Sequence, residues 1–176
     1  SGPVLLGPTL SNGKRNAYQL VTQPEGLTWD QARVDAATHT YMGAPGHLAT
    51  LENVHENAFA SAFGGGNRWI GLTDSHQTST IDGATMPGTE GTFQWVTGEP
   101  VAFTAWGGGE PNNGGGAEDA AYMRSDALWN DHQAGSTLGQ GDHRETSYVI
   151  EYEVGAAGGA GVASARRLPG ALPAKV

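Results

Sequence analysis

The sequence predicts an α+β domain, with two short helices flanking small antiparallel sheets and a long irregular loop region in the second half. Three observations lead there. Two segments in the first 65 residues pair a helix cap with apolar residues at helical spacing. Short runs rich in β-branched and aromatic residues surround them. Gly and Pro account for 28 and 9 of the 176 residues, a composition that favours turns over regular elements.

The elements follow in order. Residues 17–21 read as a strand with Tyr18 and Leu20 on one face, broken by Pro24-Glu25-Gly26. Thr28 and Gln31 have capping-box spacing, and a helix over 29–40 follows with Trp29, Ala32, Ala36 and Ala37 as its stripe. Gly43 to Gly46 ends it, and 47–51 is a second strand. Asn53 and Glu56 open another helix, with Val54, Ala58, Phe59, Ala62 and Phe63 on one side and a stop at Gly64-Gly65-Gly66. Residues 69–72 and 93–96 read as buried strands, and 120–123, 127–130 and 148–152 as later ones. Between them, 98–116 fits neither period, and a structureless loop of that length points to function. Residues 1–16 read as an N-terminal extension, 17–153 as the domain, and 154–176 as a flexible Ala/Gly/Pro-rich tail.

The formal charge is −9. Nine acids and one base, Arg124, fall between Asp74 and Asp131, so this stretch carries −8 of it. Such a field disfavours nucleic acid and anionic lipid as partners and suits a cation. No run of apolar residues is long enough for membrane insertion. The absence of cysteine excludes disulfides, thiolate metal sites and cysteine nucleophiles.

Three words stand out in the loop-rich half: Glu110-Pro111-Asn112, Glu118-Asp119 and Trp129-Asn130-Asp131. Together Glu110, Asn112, Glu118, Asn130 and Asp131 offer three carboxylates and two amide carbonyls. Oxygen donors of this kind suit Ca²⁺ and serve zinc or copper poorly. One such word alone is most simply a solvated loop; three in one stretch form a candidate site.

In their order these words resemble the C-type lectin-like domain of the calcium-dependent, carbohydrate-binding kind. The resemblance runs from Tyr18 to Glu153 and includes Trp29-Asp30-Gln31-Ala32, Gly46-His47-Leu48-Ala49, Trp69-Ile70-Gly71-Leu72 and Tyr148-Val149-Ile150-Glu151-Tyr152. It implies that Glu110, Asn112, Glu118, Asn130 and Asp131 bind Ca²⁺ as the cofactor, with Pro111 cis. It implies too that they meet a mannose-type glycan through equatorial 3- and 4-hydroxyls, with His132 at the edge as a further sugar contact. A second metal position would use Asp74, Asn113, Glu118 and Asp119. The resemblance also implies a non-catalytic module that is secreted or at the cell surface, multivalent or part of a larger secreted protein; the cysteine-free chain fits a bacterial source. It departs from the family in its disulfides: Ala36, Ala120 and Ile150 stand where three of the usual cysteines would fall. The segments 75–91 and 132–147 are longer than usual and flank the site.

Two other readings compete. In one, calcium only orders the loops of a protein-, surface- or ice-binding module. In the other, the acids act as a glycosidase pair, but donors converging on one cation leave no free general acid.

Overall fold

The computed structural model describes residues 1–155. From residue 156 onward, the segment read as a flexible tail lies outside the described residues. Along the chain come β1 (Val4–Thr9), β2 (Arg15–Leu27), α1 (Trp29–Thr38), β3 (Thr40–Tyr41), β4 (Ala44–Leu48), α2 (Val54–Ser61), β5 (Arg68–Thr73), β6 (Gln94–Trp95), β7 (Ala120–Met123), β8 (Trp129–His132) and β9 (Glu145–Tyr152). The main sheet runs β1-β2-β9-β5-β7-β8. Its pairings are antiparallel except β5 with β9, which is parallel at Trp69 and Tyr148. The class is α+β, as the sequence predicts.

The sheet is buried on both faces, and this explains the unbroken apolar strands. Trp69, Ala120, Tyr148 and Ile150 join α1 residues Trp29, Ala32 and Ala36 on one side. Their neighbours Ile70, Ala121 and Val149 join Leu51, Trp95 and Trp129 on the other. All six residues of β5 are buried. Ala36, Ala120 and Ile150 are fully buried in the core, so apolar packing occupies the positions where the resemblance places cysteines.

Helix α1 begins at a complete capping box, with Thr28 accepting from the Gln31 amide and Gln31 returning a bond to Thr28. Its stripe is narrower than the sequence suggests, because Ala37 is exposed. Helix α2 departs further. Val54, Ala58 and Ala62 are exposed, Phe59 and Phe63 are half-buried, and Glu56, Asn57 and Ala60 form the buried face. Polar partners decide this rotation. Glu56 accepts from the Tyr18 hydroxyl (2.8 Å), the Glu52 amide (2.9 Å) and Asn53 Nδ2 (2.9 Å).

Other boundaries move, among them that of the strand read at 47–51, which is β4 at Ala44–Leu48. Residues 1–16 include β1, whose Val4, Leu5 and Leu6 pair with Gln19, Tyr18 and Ala17 as an edge of the sheet. Strand β2 continues through Pro24-Glu25-Gly26, because its ladder with β9 resumes at Leu27 opposite Glu145 after a register shift. Strand β8 starts at Trp129, two residues later than read. Ala127 takes a positive φ of 68° and turns the hairpin from β7 instead.

Candidate functional site

The candidate site sits where the 98–118 loop meets the β7–β8 hairpin. Trp129 fixes this junction. It is fully buried, and the rings of Trp95, Phe103 and Trp106 each stand edge-on to it with centroids 5.7 Å away. Its indole N–H donates to Asn57 Oδ1 (2.8 Å), and Asn57 Nδ2 donates to the Ala127 carbonyl (3.0 Å). Its backbone ties the loop down on both sides: Trp129 N–H donates to Ala105 O (2.7 Å) and Gly107 N–H to Trp129 O (2.8 Å). The next two residues, Asn130 and Asp131, are thereby presented to the Glu110-Pro111-Asn112 segment.

The Glu110–Pro111 bond is cis. Asp131 is buried and grips the loop that follows, accepting from the Asn112 amide (3.1 Å) and the Asn113 amide (2.7 Å). Glu118 accepts from the Gly114 amide (2.6 Å), while its own amide donates to Asn113 Oδ1 (3.1 Å). Asn130 Nδ2 donates to the Asp131 carbonyl (2.5 Å). Burial and the nearby Asp131 and Glu118 carboxylates push the Glu110 carboxyl upward from its ordinary pKa. Glu110 Oε2 is buried with no hydrogen-bond partner. Asp131 and Glu118 thus line the Asn112–Gly114 backbone, and both carboxylates lie near that of Glu110.

A second group of acids lies behind this one. Asp74 and Asp119 are buried. Asp74 Oδ2 accepts from the Gly91 amide (2.9 Å) and its Oδ1 has no partner. Burial and the charges of Asp119 and Glu90 raise its pKa to about 6. Asp119 accepts from Gln140 Nε2 (3.0 Å). Glu90 bonds to Asn113 Nδ2, so Asn113 stands between the two groups, while Glu118 belongs to the first. Glu90 was not legible as a site residue. It arrives at the end of the 75–91 segment, and the signal for that approach is Gly88, where a Cβ would overlap the Asp74 backbone.

His132 lies on the outer face of β8 and stacks on His143, with ring centroids 3.5 Å apart. Burial, then the His143 charge, lowers its pKa.

Among the described residues no group of three or more His, Cys, Asp or Glu side chains is placed so that it could hold a metal ion. The carboxylates instead take backbone amides as partners. The donor set nevertheless fits a hard cation. It is all oxygen, it crowds carboxylates together, and two of its buried carboxylate oxygens, on Glu110 and Asp74, are orphaned.

The model of the Lectin C-type domain matches residues 25–139, which run from α1 to β8 and include Glu110, Asn112, Glu118, Asn130 and Asp131. The chain belongs to the C-type lectin domain family. Among curated relatives, a mouse protein, C-type lectin domain family 4 member G, is 33% identical over 106 residues, which is 59% of this chain and 31% of that protein. This C-type lectin domain thus spans about a third of that relative's length. The carbohydrate-recognition domain of cow CD23, solved in the presence of a GlcNAc2Man3 oligosaccharide, superposes with a TM-score of 0.60. It shares 24% identity over 78% of this chain and 88% of that one. A calcium-independent type II antifreeze protein superposes with a TM-score of 0.57 at 18% identity, over 85% and 91% of the two chains. These two structures establish a shared fold. Among the described residues no helix is long and apolar enough to cross a membrane.

Proposed function

We propose that this C-type lectin domain is a non-catalytic module that binds mannose-type glycans in a calcium-dependent way. The observation that carries this reading is the pairing of Asp131 with the Asn112 and Asn113 amides and of Glu118 with the Gly114 amide, beside a buried Glu110 oxygen left unpartnered. Glu110, Asn112, Glu118, Asn130 and Asp131 would hold the cation, and Asp74, Asn113, Asp119, Glu118 and the newly placed Glu90 a second one. When bound, Ca²⁺ supplies free coordination positions for two vicinal hydroxyls. The carboxylates of Glu110 and Glu118 accept hydrogen bonds from those hydroxyls, and the amides of Asn112 and Asn130 donate to them. The Glu-Pro-Asn order suits equatorial 3- and 4-hydroxyls.

The module then acts at the cell surface or in secretion, as one unit of a longer or multivalent protein, since a single weak site gains avidity only by repetition. A second reading, a surface- or ice-binding module with calcium-ordered or calcium-free loops, draws support from the shared fold with the antifreeze protein.

The test separates metal binding from sugar choice. The double substitution Glu110→Gln with Asn112→Asp keeps one carboxylate and one amide beside Pro111 but exchanges their places. Calcium binding is expected to persist, while mannose loses about tenfold against galactose, because unmet polar groups at a dry contact cost about 1–3 kcal/mol. The measurement is competition of both sugars against immobilised mannan at saturating calcium. An unchanged mannose-to-galactose ratio contradicts sugar reading by these residues. Calcium-independent retention, or none at all, favours the second reading.

A further inference from the structure

The β7–β8 hairpin has an outer face of which the site described above uses only Asn130 and, at its edge, His132. Tyr122 pairs directly with Asn130, and His132 lies two residues further along β8. Strand alternation therefore puts Tyr122, Asn130 and His132 on one side. Asn130 belongs to the candidate sugar site, so this face begins at that site and leads away from it.

A third ring completes the face. His143, from the long segment between β8 and β9, stacks on His132 with an interplanar angle of 18°. It lies 6.3 Å from Tyr122 at 28°. The ring is fixed from behind, edge-on to the buried Trp69 at 5.5 Å, and held by Glu145 through Nε2 at 3.0 Å. The Gln133 amide donates to His132 Nδ1 (2.8 Å), which leaves Nε2 to carry the ring proton. All three rings are half-buried, and His143 keeps 27% of its side chain exposed.

The chemistry of this shelf is distinctive for its place. It is an aromatic ring surface beside the stretch that carries most of the negative charge. Polar groups edge it: the Tyr122 hydroxyl, His132 Nε2, Glu145, and Asn67, whose Nδ2 donates to Glu145 (3.4 Å). A pyranose matches this pattern, because its C–H face packs on rings while its hydroxyls meet a polar edge.

We propose that Tyr122, His132 and His143 form an extended subsite for the second residue of a neutral glycan whose first hexose occupies the Glu110–Asn130 site. The proposal rests on the calcium-dependent sugar reading of that site. The 133–144 segment, which supplies His143, is what makes the shelf.

The test compares methyl α-mannoside with α1,2-, α1,3- and α1,6-linked mannobiosides by calorimetric titration at saturating calcium. Wild type is expected to bind at least one disaccharide about three- to tenfold more tightly than the monosaccharide. His143→Ala and Tyr122→Ala should each bring that ratio close to one, with monosaccharide affinity unchanged. His143→Phe, which keeps a ring, should retain most of it. A wild-type ratio near one for every linkage overturns the subsite, as does a ratio that survives both alanine variants. A variant that loses the monosaccharide in equal measure also overturns it, since the rings would then only support the calcium site. Wild type that binds neither sugar refutes the underlying calcium–sugar reading itself, and the subsite with it.

Discussion

Glu151 sits in the middle of β9 with 1% of its surface exposed. Its carboxyl is ringed by donors: Asn16 Nδ2 (2.5 Å) and the Tyr18 hydroxyl (3.1 Å) on one oxygen, the Thr50 amide (2.7 Å) and hydroxyl (2.8 Å) on the other. The Tyr18 hydroxyl also faces Glu56. The bonds from Thr50 and Asn16 favour the charged form, but burial outweighs them. Burial, with the Glu56 charge adding to it, raises the Glu151 pKa from 4.5 to about 7. The sign follows from linkage. The unfolded chain releases this proton near 4.5 and the folded chain near 7. The stabilising contribution is complete below the lower value and is lost as pH rises through the upper one. In calcium-free protein, denaturant unfolding should show stability falling across that window, and Glu151→Gln should flatten the fall. An identical slope in the variant would place the effect elsewhere.

At the scale of elements, the two long segments that flank the site are fastened to the start of α1. Asp30 is fully buried. It accepts from Arg33 (2.8 Å), from the Ser79 hydroxyl in the 75–91 segment (2.7 Å) and from the Thr137 hydroxyl in the 133–144 segment (2.8 Å). Arg33 extends the anchor to Asp82 with two bonds of 2.9 and 2.8 Å, and these bonds hold the Asp82 carboxyl down to a pKa of about 2. The Ala134 carbonyl receives the Asp30 amide (3.3 Å), and a Cβ on Gly135 would overlap Thr28. Asp30→Ala removes the common acceptor. It should cost about 3 kcal/mol and speed amide hydrogen exchange in both segments together. Since Glu90 and Gln140 reach the Asp74–Asp119 group from those segments, calcium affinity should fall with it. Exchange confined to one segment would show that the two are anchored independently.

For the whole molecule, charge and pH act in opposite directions with and without metal. The chain carries a net −9, and its buried or crowded carboxyls Glu110, Asp74 and Glu151 all have raised pKa values. Mild acid relieves this repulsion, so the calcium-free fold should melt higher at pH 5 than at pH 7.5. Calcium requires the ionised carboxylates and is displaced by protons. At pH 7.5, calcium at 100 times its dissociation constant should stabilise by about 2.7 kcal/mol, and acidification should remove that gain. Thermal melts at both pH values, in chelator and in millimolar calcium, check this crossover. Melting curves that ignore calcium at pH 7.5 would exclude a metal site coupled to folding.

Much of the protein was legible from local pattern. The capping box at Thr28 starts α1 where expected, and 120–123 is a strand with the bounds read from sequence. Alternating or unbroken apolar runs and cap spacings are properties of neighbouring residues, so they survive without knowledge of the fold. The Glu-Pro-Asn, Glu-Asp and Trp-Asn-Asp words were legible for the same reason: each is contiguous. What the tertiary structure decided involves partners distant in the chain. The buried face of α2 follows from Tyr18, which meets Glu56 from 38 residues away. Residues 4–9 become a strand only because β2 offers them an edge. Glu90 and His143 reach the site region on long segments whose paths are set by Asp30 and by close glycine contacts. A loop's own residues do not encode its destination. That is fixed by the free energy of burying and bonding its ends against elements far away in sequence.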